Sequence, residues 1–230
     1  MLKVNVLTIF PEIFPGFLGS SLTGRALEEK KFELNAINIR DYALDKHKSV
    51  DDTPCGGGAG MIMRPDVLGC AINENHTKGR IIYMSPKGAP LTQSKVKELS
   101  KEEELTIICG RFEGIDERVI EAFNIEELSI GDYILTGGEQ ACQIMLDAVV
   151  RLLPGVLGNE ASIEDESFEN YLLEYPQYTR PVEWEGRIVP EILLSGHHQK
   201  IAEWRKQEAE KTTKTKRPDL YKNYLDSKNS

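Results

Sequence analysis

The sequence predicts an α/β fold built on a mostly parallel sheet, and three observations carry that expectation. Apolar runs of strand length at Leu2 to Phe10, Arg80 to Met84 and Leu105 to Cys109 are each followed by a stretch with helical spacing. Glycines mark the ends of the later runs, at Gly110 and around Gly131. The segment from Glu139 to Leu153 repeats its apolar residues with the period of a helix. Short strands alternating with helices imply parallel pairing, with helices covering both faces.

Taken in order, Leu2 to Phe10 alternates as a strand does, and Pro11 and Pro15 end it. Ser21 to Glu29 reads as a helix, with Thr23 as a candidate cap. Phe32 to Ile39 alternates again, and the polar, glycine-rich stretch from Asp41 to Gly60 reads as a loop. Pro65 to Asn75 is helical through Val67, Leu68, Ala71 and Ile72. Gln93 to Leu99 and Glu117 to Phe123 are helices between strands, with Asp116 as the cap of the second. Glu126 to Ile130 leads through a turn into the apolar run Tyr133 to Leu135.

The character changes after Pro154. An acidic stretch poor in strand formers suggests a division into residues 1–158, a connector over 159–172, and a small all-helical domain over 173–230. Helical segments there fall near Pro190 to Leu194, His198 to Glu210 and Pro218 to Leu225.

At 230 residues the chain is long enough for a substantial core, and no apolar stretch approaches membrane-spanning length. The N-terminus lacks the pattern of a secretory signal, so the cytoplasm is the expected location. Cys55, Cys70, Cys109 and Cys142 are scattered, and no histidine stands at ligand spacing from them. This disfavours both a zinc site and a disulfide framework. The net charge of −9 argues mildly against a broad nucleic-acid surface. The tail departs from that balance: Lys200, Arg205, Lys206, Lys211, Lys214, Lys216 and Arg217 outnumber Glu203, Glu208 and Glu210. Trp204 and Tyr178 are candidates for stacking on unpaired bases, or for packing in a small helical core.

Two runs carry the most chemistry: CGRFEGIDERV over 109–119 and SIGDYILTGGE over 129–139. Glycine after an apolar strand lets a ligand approach the main chain, so two such loops suggest a backbone-built pocket for a flat heterocycle. Taken singly, each is equally readable as an ordinary turn. Gly56, Gly57, Gly58 and Gly60 are not followed by Lys-Ser or Lys-Thr, which disfavours a nucleotide P-loop.

With these runs stand FPEIF (10–14), LTGRAL (22–27), RDYALDKHKSVDD (40–52), CGGGAGM (55–61), IIYMSPKG (81–88), PGVLGNEAS (154–162), YPQYTRP (175–181) and LLSGHH (193–198). In that order and register the chain resembles the bacterial tRNA (guanine-N1)-methyltransferases, a family of the knotted class of AdoMet-dependent RNA methyltransferases. The resemblance implies a deep trefoil knot in the C-terminal part of the α/β domain. It implies a homodimer with composite active sites, and a methyl transfer from S-adenosyl-L-methionine to N1 of the tRNA guanine just 3′ of the anticodon. It assigns AdoMet to Tyr83, Met84, Ser85, Pro86, Gly110, Arg111, Glu113, Gly114, Ile130, Gly131, Asp132, Tyr133, Ile134, Leu135, Gly137 and Gly138.

Guanine N1 is protonated at neutral pH, so the reaction needs a base for that proton and a cation for the charge that spreads to O6. The resemblance puts the base at the acidic residue before Ser-Phe, usually Asp. Here that position is Glu166, with Asp165 beside it as the alternative. Arg151 is the implied cation, and as a residue at a helix C-terminus it also complements the helix dipole. A second departure from the family pattern is Ala141, where many relatives have Pro. Help from a divalent ion such as Mg2+ is left open. Two other readings remain: a non-catalytic RNA-binding protein of the same fold, and a methyltransferase acting on ribosomal RNA.

Overall fold

The computed structural model describes residues 1–158 and 166–228. The chain divides into two compact units, Met1–Gly158 and Asn159–Ser230. Asp165, the alternative base, lies outside the described residues, as does half of the expected connector, residues 159–165.

The N-terminal unit is organised around a sheet of five parallel strands: β1 (Leu2–Thr8), β2 (Phe32–Asn38), β5 (Arg80–Pro90), β6 (Glu104–Ile108) and β7 (Glu126–Ser129), in the order β2-β1-β6-β5-β7. Two short strands, β3 (Asp51–Asp52) and β4 (Ile62–Met63), form a separate antiparallel ribbon. The inner strands read as nearly continuous apolar runs because both sheet faces are covered. Every residue of β6 is buried.

Side chains then sort by the two-residue period of a strand. Val4, Val6, Leu105, Ile107, Ile82 and Met84 share one core with α1 (Ser21–Glu28), α3 (Gln93–Leu99) and α5 (Glu139–Val150). Leu7, Ile108, Ile81 and Tyr83 share the other with α2 (Pro65–Asn75) and α4 (Glu117–Phe123). Leu105 has no exposed surface, and truncating it to Ala would cost about 2–5 kcal/mol.

Local chemistry sets the helix ends. Asp116 caps α4 by accepting the Arg118 N–H at 3.0 Å, and Thr92 caps α3 by accepting that of Lys95 at 3.3 Å. Thr23 is not the cap of α1. Ser20 holds that position, and the Thr23 hydroxyl donates back to the Ser20 carbonyl at 3.1 Å. α5 stops at Val150 rather than Leu153, because Leu152 and Leu153 close tighter i→i+3 bonds onto Val149 and Val150 ahead of Pro154.

β5 outruns its expected end at Met84. Its pairing with β7 breaks there and resumes at Ala89 opposite Leu128 and Pro90 opposite Ser129. Residues 85–88 form the bulge, and Gly88 lies so close to β7 that a Cβ would meet the Glu127 carbonyl carbon at 2.4 Å.

The C-terminal unit contains α6 (Glu191–Leu194), α7 (His198–Lys216) and α8 (Pro218–Lys228). It is not all-helical, because β8 (Glu183–Trp184) and β9 (Arg187–Ile188) form a hairpin. The turn residues Glu185 and Gly186 both have positive φ, 49° and 75°, which gives the twist a two-residue hairpin favours. α7 runs past Glu210 to Lys216, where Pro218 forbids continuation. Buried Thr213 of α7 accepts the Leu173 N–H at 2.8 Å, and Ser167 accepts that of Glu174 at 3.0 Å, so residues 167–174 are tied to the helical unit. Tyr178 and Trp204 pack with ring centroids 6.3 Å apart. Among the described residues no helix is long and apolar enough to cross a membrane.

Candidate active site

The carboxyl ends of β6 and β7 and the bulged middle of β5 meet at a cavity of about 220 Å³. Open α/β sheets bind ligands outside this end of their strands. β5 contributes residues 83–86, the loop after β6 contributes 110–114, β7 contributes 128 and 129, and the segment after it contributes 130, 131 and 133–138, with Ala141 of α5 closing the wall. Both glycine-marked runs therefore end at one place, although their strands are separated by β5.

The expected cofactor residues Tyr83, Met84, Ser85, Pro86, Gly110, Arg111, Glu113, Gly114, Ile130, Gly131, Tyr133, Ile134, Leu135, Gly137 and Gly138 all line this cavity. Asp132 does not: it is exposed and outside the lining. The turn at Gly131 is held by Ser129, whose Oγ accepts the Gly131 N–H at 3.2 Å and donates to the Gly131 carbonyl at 3.1 Å. Phe112, Leu128, Ser129, Thr136 and Ala141 line the cavity without having been singled out for it. Ser129 and Thr136 lie inside the second glycine run and were open to notice. Nothing in the residue type foretells Phe112, which sits at φ 59° and is half exposed.

The run Tyr133 to Leu135 forms no strand. The Tyr133 N–H bonds the Gly131 carbonyl at 3.0 Å in a tight turn, and the three side chains lie exposed at the cavity rim. Gly138 starts α5 where a Cβ would come 2.9 Å from the Cys109 Cα, so this approach excludes a side chain. On the other flank, Glu113 donates its N–H to the Met61 carbonyl and Met63 donates to Gly114, both at 2.9 Å. The end of the Gly56–Gly60 loop is thus fastened beside the cavity.

Burial raises the pKa of two weakly acidic side chains at and behind the cavity. Burial, with Glu127 adding to it, pushes the Tyr83 phenol up to about 12, against a weaker opposing pull from the Ile115 backbone. The Cys109 thiol, fully buried against that of Cys142, is raised well above its ordinary value by desolvation and then by this neighbour. Both stay protonated at working pH. The cavity offers main-chain groups, apolar surface from Leu128, Ile130 and Ala141, and no thiolate.

Arg151 is the C-cap of α5, half-buried, and not part of the lining. The twelve residues of α5, at a rise of about 1.5 Å each, separate it by roughly 18 Å from the helix start at the cavity. Glu166 belongs to the C-terminal unit, where it borders a second cavity of about 510 Å³ with Tyr175, Arg205 and Lys206 among its neighbours. Among the described residues no group of three or more His, Cys, Asp or Glu is placed to hold a metal ion.

A family model described as "tRNA (Guanine-1)-methyltransferase TrmD" matches residues 2–223. The chain is 58% identical over 222 residues to a tRNA (guanine-N(1)-)-methyltransferase of Bartonella quintana (strain Toulouse), covering 96% of each sequence. It is 54% identical over 230 residues to the protein of the same name from Rhodospirillum rubrum, covering all of this chain and 96% of that one. A third, from Mesorhizobium japonicum, is 59% identical over 222 residues, with 95% of each covered. A match that runs from the first strand into the last helix, with both cavity loops inside it, has one meaning: the chain belongs to the tRNA (guanine-1)-methyltransferase family.

Proposed function

We propose that this chain is a tRNA (guanine-N1)-methyltransferase that uses S-adenosyl-L-methionine and modifies the guanine just 3′ of the anticodon. The observation that carries the reading is the cavity where the two glycine-marked loops meet, in a chain 54–59% identical over nearly full length to the three relatives of that name described above. A nucleoside-like ligand fits its chemistry. Its glycines leave main-chain N–H and C=O groups approachable, and Leu128, Ile130 and Ala141 offer apolar surface to a purine. At about 220 Å³ the cavity is smaller than the roughly 300 Å³ at which small-molecule sites usually begin. The exposed rim at 133–135, which has no strand partner, is the part that moves outward to admit AdoMet.

AdoMet supplies the methyl group on a sulfonium sulfur, so no protein nucleophile is called for. The chain's own work is to hold the guanine, take its N1 proton and offset the charge at O6. Glu166 takes the proton, or Asp165 if the register shifts by one residue. Arg151 stands by O6. The separation of roughly 18 Å along α5 between Arg151 and the cavity supports a composite site, in which a homodimer brings elements of two chains together. The cationic face of α7 carries the tRNA, and the enzyme works in the cytoplasm, where tRNA is found. The family's trefoil knot is the expected path of the chain through the β6–α5 region.

Incubating the purified chain with radiolabelled AdoMet and an unmodified tRNA transcript, then mapping the product, tests this. Label in N1-methylguanosine beside the anticodon supports it. AdoMet binding without transfer favours an RNA-binding protein, and label only in ribosomal RNA favours a different target.

A further inference from the structure

Glu139 opens α5 and has no exposed surface. Its Oε1 accepts the hydroxyl of Thr8, at the end of β1, at 2.8 Å. Its Oε2 lies 2.8 Å from Nη2 of Arg111, an ion pair not aligned as a hydrogen bond. Arg111 comes from the loop after β6. Its Nη1 donates to the Thr136 carbonyl at 3.2 Å, and its guanidinium lies 4.5 Å from the Phe10 ring centroid. Its Nε is buried without an acceptor. The side chain crosses directly over Gly137, where a Cβ would sit 2.3 Å from Nε. One guanidinium therefore spans the loop after β6, the rim segment after β7 and the first turn of α5.

The region has other sources of cohesion besides this pair. Backbone ladders join the strands, and Cys142, Met145, Leu146 and Val149 seat α5 in the core. Buried ion pairs are weak stabilisers beside apolar packing, so one retained directly behind a ligand cavity points to orientation rather than stability.

We propose that Arg111 and Glu139 act together as a positioning pair that sets the Gly131–Gly138 segment against the cavity and thereby sets AdoMet affinity, without either group entering the reaction. This rests on the reading of the cavity as the AdoMet site.

The test measures AdoMet binding by titration calorimetry and steady-state methyl transfer in the full-length chain. Glu139→Gln keeps an acceptor for Thr8 but loses the charge facing Arg111. Both it and Arg111→Gln are expected to weaken AdoMet binding about tenfold, and in Glu139→Gln, whose side chain lies outside the cavity lining, KM for tRNA and kcat at saturating AdoMet stay within about twofold. Arg111→Lys restores part of the loss, because an ammonium reaches one of the two acceptors at a time. The double variant binds no worse than either single one, since the two residues form one device. Unchanged affinity in the folded single variants, or additive losses in the double, overturns the proposal. Where circular dichroism shows that a change at 111 or 139 prevents folding, Thr8→Val decides. It removes the hydroxyl that Thr8 gives to Glu139 and that also accepts the Phe10 N–H at 3.0 Å, and is expected to weaken binding about threefold; no change overturns the proposal. A wild-type chain that binds no AdoMet overturns the cavity reading and this proposal together, whereas wild-type binding with unaffected variants overturns this proposal alone.

Discussion

The Tyr83 ring stands where a side chain on Gly110 would have to go: a Cβ at position 110 would lie 2.6 Å from Cε2 and 2.8 Å from the hydroxyl oxygen. Tyr83 is buried in the core beside Ile81 and Ile108, and this packing resists its displacement. Gly110→Ala is therefore expected to destabilise the N-terminal unit by about 1–3 kcal/mol, the usual range for overpacking. Calorimetry should show a melting temperature several degrees lower, with weaker protection by AdoMet; an unshifted transition would mean the ring gives way.

Removing the proposed base should separate binding from chemistry. Glu166→Gln is expected to lower kcat by about 10²–10⁴-fold, the range of general base catalysis, with the AdoMet Kd unchanged. Single-turnover methylation beside a binding titration reads both quantities. A wild-type rate would transfer the role to Asp165.

Arg151→Ala is expected to cut kcat by about 10²–10³-fold, as loss of one preorganised charge-stabilising donor does elsewhere. Arg151→Lys should recover part of it by keeping the charge. Near-normal turnover in the Ala variant would leave Arg151 with only its place at the end of α5.

The C-terminal unit should lose stability in acid. The Tyr224 hydroxyl donates to the Glu210 carboxylate and holds it below its ordinary value of 4.5, against partial burial and with help from Lys228. A carboxyl whose folded pKa is depressed adds stability above its unfolded value and loses it as pH falls through the folded one. Glu210→Gln should flatten the acid limb of the helix signal below about pH 4.5, with an effect on the order of 1 kcal/mol because the pair is partly solvated. An unchanged acid midpoint would show that other groups govern it.

Much of the fold was legible because its signals are local. Pro65, Asp116 and the apolar spacing of Gln93 to Leu99 mark three helices at the bounds the structure gives them. β5 beyond Met84 was not legible, because Pro86, Gly88 and Pro90 read as a break and only the register against β7 turns them into a bulge. The β8–β9 hairpin escaped for a similar reason: two residues on each side of Glu185 and Gly186 are too few to show alternation. At the cavity, the glycine runs announced themselves because close approach to main chain demands that residue. The inward turn of Arg111 toward Glu139 could not be read, since the two are brought together only by the meeting of two loops across β5.

The bulge in β5 also bears on how a ligand enters and leaves. Pairing to β7 resumes at Ala89 and Pro90, so the floor under Tyr83 to Pro86 is stitched to β7 before and after the gap. With the proposed outward movement of the exposed 133–135 rim, ligand exchange leaves the strands beneath in register. In amide exchange, fast-swapping sites should border very slow ones within a few residues, and turnover need never expose the hydrophobic interior to solvent.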